Sequence, residues 1–238
     1  MRASKRFVAI VKHHIRLSLQ QLFINLFRLF WDWKILPVST DFGFSRGTPV
    51  GRSYVNNFVA EKAQALGGII LEFGEARYKD YFNYVDQYMV VDVAPGPNVD
   101  FVCDIHDVST MPQHFFDVIV CTQVLEHLER PQEALIELRK LLKQDGRLIC
   151  TVPFLAHIHY VPTDYYRFSI DAITSALSRA GFEVIDSRNS GNALVTIGSL
   201  LGYSSEDFSF SQMAESDEVY PFNILTFSRP NIDSSVES

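Results

Sequence analysis

The sequence predicts an α/β fold built on a doubly wound, mostly parallel sheet with helices on both faces. Three observations predict it. Five short apolar runs, several of them rich in β-branched residues and ended by an acidic or small residue, recur along the chain: GIILEFG (68–74), YMVVDVA (88–94), VDFVCDI (99–105), FDVIVCT (116–122) and GRLICTVP (146–153). Continuous apolar runs of this length suit strands buried on both faces. Helical spacing separates the fourth run from the fifth, with Ala134, Leu135, Leu138, Leu141 and Leu142 between Pro131 and Lys143, which makes a βαβ unit. A further helix from Ser169 to Ala180, stopped by Gly181, and a strand from Phe182 to Ser187 extend the alternation, and such alternation specifies a covered, wound sheet.

The elements fall into four segments. Residues 1–36 form an arm in which Val8, Val11, Ile15, Leu19, Leu22, Leu26, Leu29 and Trp33 step by three or four along one helical face. Lys5, Lys12 and Arg16 lie off that stripe. Residues 37–67 read as a Gly- and Pro-containing loop followed by a helix from Ser53 to about Leu66. Residues 68–230 form the sheet domain, with YPFNILTFSRP (220–230) as a late strand, and 231–238 a fraying tail. The second and third runs are separated by only a few residues around PGPN. That is fewer than the dozen usual for a parallel crossover, so either the covering helix is missing or the strands pair differently.

Hydrophobic residues make up 47% of the 238 and the mean hydropathy is +0.04, which excludes a disordered or low-complexity chain. The net charge of −7 is unevenly placed: seven basic residues against Asp32 alone make the arm +6, leaving −13 on the rest. An acidic body argues against a nucleic-acid partner. The arm is a basic amphipathic helix ending in tryptophans, suited either to packing on the domain or on a second copy as a homodimer, or to lying on an anionic membrane surface. It contains no uncharged stretch long enough to span a bilayer and no pattern of a cleaved signal. Cys103, Cys121 and Cys150 are an odd set with no mutual spacing, which suggests reduced thiols and a cytoplasmic protein, peripheral at the inner membrane face where the arm binds lipid.

In an open α/β sheet ligands bind beyond the carboxyl ends of the strands, where the strand order reverses. The strand-end residues here are Glu72–Phe73–Gly74, Asp92, Asp104–Ile105, Thr122–Gln123 and Pro153–Phe154. Asp92, twenty residues beyond Glu72, is placed to accept both ribose hydroxyls of a nucleoside. Asp104 is placed to accept an adenine amino proton while the Ile105 amide meets a ring nitrogen.

The ordered set ILEFG, VVDVA, CDIHDV, FDVIVCTQVLEHL and LRKLLKQDGRLICTVP resembles the class I S-adenosylmethionine-dependent methyltransferases over roughly Gly68 to Ser187. FGFSRGTPVGRSYVNNF, PTDYYRFS and the late GN and YP elements add a weaker resemblance to bacterial methyltransferase-like proteins of surface-glycan synthesis. The resemblance implies a Rossmann-like seven-stranded fold and S-adenosylmethionine as cofactor. Glu72 and Gly74 then stand at the acidic-x-Gly positions, Asp92 and Val93 at the ribose side, and Asp104 and Ile105 at the adenine. Thr122, Gln123 and His127 then stand on the cofactor's edge, with His127 facing the sulfonium or opening the next turn and Glu126 sharing that ambiguity. The chain departs from the family at Glu75, Ala76, Arg77 and Tyr78, where further glycines are usual; only Gly74 remains to let backbone approach the cofactor.

The loop after the fifth strand, FLAHIHYVPTDYYRFS, is the richest polar and aromatic run. His157, His159 and Asp164 are the base candidates for an acceptor that must lose a proton, while Tyr160, Tyr165, Tyr166 and Arg167 shape the acceptor or bind its charge. The competing reading makes Asp164, Tyr165 and Arg167 a helix-entry cluster. No third ligand accompanies His157 and His159, so no metal is expected. The leading expectation is methyl transfer to a small-molecule or glycan-linked acceptor. The alternative is a catalytically inactive, partner-binding or scaffold protein on the same fold. An oxidoreductase is opposed by EFGEARYK, which lacks the G-x-G-x-x-G needed to seat a pyrophosphate on a helix N-terminus.

Overall fold

A computed structural model describes residues 15–22, 24–26, 37–158 and 162–231. The chain divides into two compact units, Met1–Val38 and Ser39–Ser238. In the first, residues 15–22 and 24–26 are helical, so Ile15, Leu19, Leu22 and Leu26 share one face. Val8, Val11, Leu29, the tryptophans Trp31 and Trp33, and the basic Lys5 and Lys12 lie outside the described residues.

The second unit runs α1 (Val50–Ala63), β1 (Gly67–Phe73), β2 (Tyr84–Asp92), β3 (Phe101–Val102), β4 (Phe116–Thr122), α2 (Pro131–Leu141), β5 (Leu142–Pro153), α3 (Ile170–Arg179), β6 (Phe182–Ser190), α4 (Ala193–Leu200), α5 (Phe210–Ala214) and β7 (Asn223–Pro230). The strands form one sheet in the order β3-β2-β1-β4-β5-β7-β6. β1 to β5 are parallel, and β7 inserts antiparallel between β5 and β6. The order reverses between β1 and β4, which opens a crevice at their carboxyl ends.

Period-two alternation explains why the runs are apolar throughout. Ile70, Val118, Val120 and Ile149 pack with Val55, Phe58 and Val59 of α1 on one face. Their neighbours Leu71, Ile119, Cys121, Leu148 and Cys150 pack with Leu135 and Leu138 of α2 and Ile173 and Leu177 of α3 on the other. Ser169 caps α3 by accepting the Ala172 amide at 3.2 Å. All three cysteines are free, with Cys121 and Cys150 buried side by side on β4 and β5.

The short β2–β3 connection has a physical answer: the covering helix is missing. β3 is two residues long and pairs only with Val91 and Asp92, at the very end of β2, so the chain has almost no strand length to retrace. Asp100 closes the turn, its amide donating to the Val90 carbonyl at 2.9 Å and its carboxylate accepting the Val90 amide at 2.8 Å. The β1–β2 crossover is similarly lean, with a single 3-10 turn at Lys79–Tyr81 between the two strands. Its ten residues (74–83) reach at most about 35 Å when extended, enough to return along a seven-residue strand of about 23 Å. The helix that usually follows β1 in a wound sheet is therefore absent, together with the glycines that would lead into it.

Two expectations change. The helix predicted from Ser53 begins at Val50, directly after Pro49. Residues 193–200, unassigned from the sequence, form α4, capped by Asn192 accepting the Val195 amide at 3.1 Å.

Candidate functional site

The crevice holds a cavity of about 450 Å³, within the usual range for small-molecule sites. β1 contributes Glu72, Phe73 and Gly74; the connection after it contributes Glu75, Arg77 and Tyr78; β4 and the turn beyond contribute Thr122, Gln123 and His127. Phe42, Phe44, Arg52, His157 and Phe222 line it from the remaining sides.

Gly74 has φ +90°, and a Cβ built on it would meet nothing within 4 Å. Glycine here keeps open a space that faces the cavity while permitting a left-handed backbone. Glu72 is buried, its carboxylate accepting the Tyr78 amide at 3.2 Å and the Tyr88 hydroxyl. Burial raises its pKa, opposed by those hydrogen bonds. Tyr78 is itself buried, and with Glu72 and Tyr88 it ties the non-glycine loop to β1 and β2. Gln123 adopts φ +55°, with its amide donating to the Thr151 carbonyl at 2.9 Å and its side chain donating to the Thr151 hydroxyl at 3.2 Å. A non-glycine residue in this region costs on the order of 1 kcal/mol and is typical of binding sites.

Asp92, Val93, Asp104 and Ile105 lie outside the cavity lining, at the ends of β2 and β3 on the same carboxyl edge. Asp92 accepts the Ala94 amide at 2.9 Å through one oxygen. Val93 is 71% exposed, an apolar face open to a flat ring. Asp104 accepts the His106 amide at 2.9 Å and faces its Nδ1 at 2.7 Å, and those bonds lower its pKa. The Ile105 amide donates to no protein acceptor among the described residues.

His157 lines the cavity with its Nε2 2.8 Å from the Leu200 carbonyl. A carbonyl only accepts, so Nε2 carries the proton and Nδ1 is the basic nitrogen. His127 is fixed in the opposite tautomer, with Nδ1 2.7 Å from the Thr163 carbonyl, which leaves Nε2 basic and 3.9 Å from a carboxylate oxygen of Glu126. Asp164 does not line the cavity. It forms a two-pronged pair with Arg167, which also donates to the His157 carbonyl at 2.6 Å and the Tyr166 carbonyl at 2.8 Å, so it positions the loop that carries His157. His159 and Tyr160 lie outside the described residues. Among the described residues no cluster of three metal-ligating side chains exists.

Three residues of the cavity wall, Phe42, Phe44 and Arg52, were not singled out from the sequence, nor was the burial of Glu126 beside it. Glu126 is fully buried, and neither carboxylate oxygen has a hydrogen-bond partner among the described residues. Burial pushes its pKa up to about 8, against partial relief from Arg167. Phe42 and Phe44 come from the segment read as a linker, which is instead a wall of the cavity. The acidic residues after Ser204 hold that wall. Asp207 pairs with Arg46 at 2.6 Å, Glu206 accepts the Thr48 amide at 2.8 Å, and the Ser205 amide donates to the Thr48 carbonyl at 2.8 Å. The Thr48 contacts hold Glu206 down at about 2, and the Arg46 guanidinium holds Asp207 well below the usual carboxylate range. Arg52, in the same sequence stretch, is the third.

One chain thus combines five parallel strands, a β7 inserted antiparallel before β6, a reversal beside β1, and acidic residues that end β2 and follow β3. This is the class I methyltransferase fold. Residues 78–150 match the methyltransferase domain family. A ubiquinone biosynthesis O-methyltransferase of Schizosaccharomyces pombe mitochondria is 28% identical over 153 residues, which cover 58% of this chain. The chain spans only 55% of that relative's length. Among solved structures, the [4+2]-cyclase SpnF superposes with a TM-score of 0.55 at 16% identity, covering 84% of this chain and 88% of SpnF. A 1,6-didemethyltoxoflavin-N1-methyltransferase of Burkholderia thailandensis, with 1,6-didemethyltoxoflavin and S-adenosylhomocysteine bound, gives 0.52 at 14%, covering 92% and 90%. These likenesses establish the methyltransferase fold, and a cyclase among them shows that the fold alone does not fix the chemistry.

Proposed function

We propose that the protein is an S-adenosylmethionine-dependent methyltransferase acting on a small-molecule or glycan-linked acceptor. The observation that carries this reading is the row of strand ends on one carboxyl edge: Gly74 with open space above it, Asp92 with Val93, and Asp104 with the unbonded Ile105 amide. These residues fit a nucleoside. Asp92 accepts the ribose hydroxyls, Val93 covers one face of the base, and Asp104 and Ile105 read its polar edge. Bound there, S-adenosylmethionine supplies an electrophilic methyl group. The protein's part is to hold the acceptor in line with that methyl, about 3–3.5 Å away, and to exclude water. Phe42, Phe44 and Phe222 give the cavity its apolar walls, and the His157 Nδ1 takes the proton of an acceptor that must lose one. The chemistry named for the Schizosaccharomyces pombe relative, O-methylation, is of this kind.

Asp92→Ala tests the reading directly. The substitution should weaken S-adenosylhomocysteine binding by about 1–3 kcal/mol, as loss of hydrogen bonds to a carboxylate does, and calorimetry on the purified chain measures it. Unchanged affinity removes Asp92 from the site.

One observation favours a second reading, in which the domain binds a partner and has lost the cofactor. The Glu72 carboxylate is already engaged by Tyr78 and Tyr88, and the side chains of Arg77 and Tyr78 stand where glycines would admit the cofactor. Absence of sulfur-nucleoside binding by a folded sample favours it.

For the arm, adhesion to an anionic membrane surface is supported by the +6 charge and the apolar face of the helix. Among the described residues no helix is long and apolar enough to cross a membrane. Flotation of the full chain with phosphatidylserine-containing liposomes, lost on removal of residues 1–36, is the expected result. Loss of solubility without any flotation would instead make the arm a packing element.

A further inference from the structure

Two guanidinium groups line the cavity beside the rebuilt loop after β1. Arg52, on the first turn of α1, is half-buried and forms no ion pair or hydrogen bond among the described residues. Its contact is the ring of Phe44, whose centroid is 5.9 Å from the guanidinium carbon. Arg77 stands in the β1–β2 connection and pairs with Glu75, which is two-thirds exposed. The two cations oppose each other: burial and then the Arg77 charge lower the pKa of Arg52. Glu72 also lines the cavity, its carboxylate held by the Tyr78 amide and the Tyr88 hydroxyl; burial raises its pKa, opposed by those bonds and by Arg77. Arg77 thus has carboxylates beside it while Arg52 has only a ring face, and a half-buried guanidinium carries five donors that a ring face cannot satisfy. A planar anion would satisfy them, since carboxylates match the guanidinium fork.

We propose that Arg52 and Arg77 form a carboxylate-binding site within the cavity. The carboxylate has two sources: the amino-acid end of the cofactor, or an acidic group on the acceptor. The first source rests on the methyltransferase reading; the site itself does not.

The experiment separates these. The full chain, Arg52→Met and Arg77→Gln are titrated with S-adenosylhomocysteine and with 5′-methylthioadenosine, which keeps the nucleoside and sulfur but has no carboxylate. Benzoate is then titrated into each protein with and without saturating S-adenosylhomocysteine. A loss of about tenfold or more for S-adenosylhomocysteine alone, the size expected of a charge-assisted pair, supports the site and assigns it to the cofactor. Unchanged S-adenosylhomocysteine binding with Arg-dependent benzoate binding supports the site and assigns it to the acceptor. Equal losses for both nucleosides, or no dependence on either arginine for any ligand, overturns it. Should the wild type bind neither nucleoside, the methyltransferase reading fails, and benzoate binding alone decides for or against the site. Arg77 lies in an exposed loop, so Arg77→Gln keeps the test decisive even where Arg52→Met unfolds the start of α1.

Discussion

Replacing Glu126 by glutamine removes a loss of stability that the wild-type protein shows between about pH 5 and pH 8. The carboxyl is buried at 0% exposure with both oxygens unpartnered among the described residues, and its pKa is raised from 4.5 to about 8, first by desolvation. In the unfolded chain the same group ionises near its ordinary value. Between the two values the native state therefore holds a proton that the unfolded state has released. The contribution is fully present below about pH 4.5, falls as pH rises, and is gone above about pH 8. A shift of this size corresponds to roughly 3–6 kcal/mol across that window. Glutamine keeps the shape and never ionises, so urea unfolding at pH 5, 6.5 and 8 should show the variant nearly level where the wild type declines. Parallel curves for the two proteins would mean that Glu126 is ionised in the native state. His127, whose Nε2 lies 3.9 Å from Glu126, would then face a charge in place of a neutral acid.

The second large effect is at Gly74. Its φ of +90° disfavours any side chain, yet a Cβ there meets no protein atom within 4 Å. Gly74→Ala should therefore stay folded at a cost of about 1–2 kcal/mol in backbone strain, while its methyl group enters the space reserved for a ligand. S-adenosylhomocysteine affinity is expected to fall by roughly tenfold or more, about 1.4 kcal/mol per tenfold. Gly181→Ala is the control, with φ +84° at the end of α3 and no place in the cavity lining. It should lose stability by a similar amount and leave binding unchanged. Equal binding by both variants and wild type would show that the ligand does not pass over Gly74.

Much of the architecture was legible because the sheet is covered on both faces. Ile70–Leu71, Val118–Ile119 and Leu148–Ile149 each send successive side chains into opposite cores, and a doubly buried strand has to be written as an unbroken apolar run. The places of Asp92 at the end of β2 and Asp104 just after β3 were legible because each apolar run shows in the sequence where it stops. α4 was not, since ALVTIGSL carries β-branched residues and a glycine and reads as readily as a strand; its one clear signal is Asn192 as a cap. The cavity wall from Phe42 to Arg52 was read as a linker because its order comes from contacts about 160 residues away, Arg46 with Asp207 and Thr48 with Glu206. Local composition carries no trace of such partners. The burial of Glu126 had no signal in the sequence: it depends on Tyr165 and Tyr166, whose amides donate to its own carbonyl at 2.8 and 3.3 Å and draw the following loop over it.

The central claim is that this carboxyl edge binds a sulfur nucleoside, despite a loop that keeps one glycine. Calorimetric titration of the purified chain with S-adenosylmethionine and S-adenosylhomocysteine, with NAD as the control, tests it most directly. Micromolar binding of the two sulfur nucleosides and none of NAD is the expected result; no binding of either by a sample that melts cooperatively would contradict the account and leave the domain a methyltransferase fold put to another use.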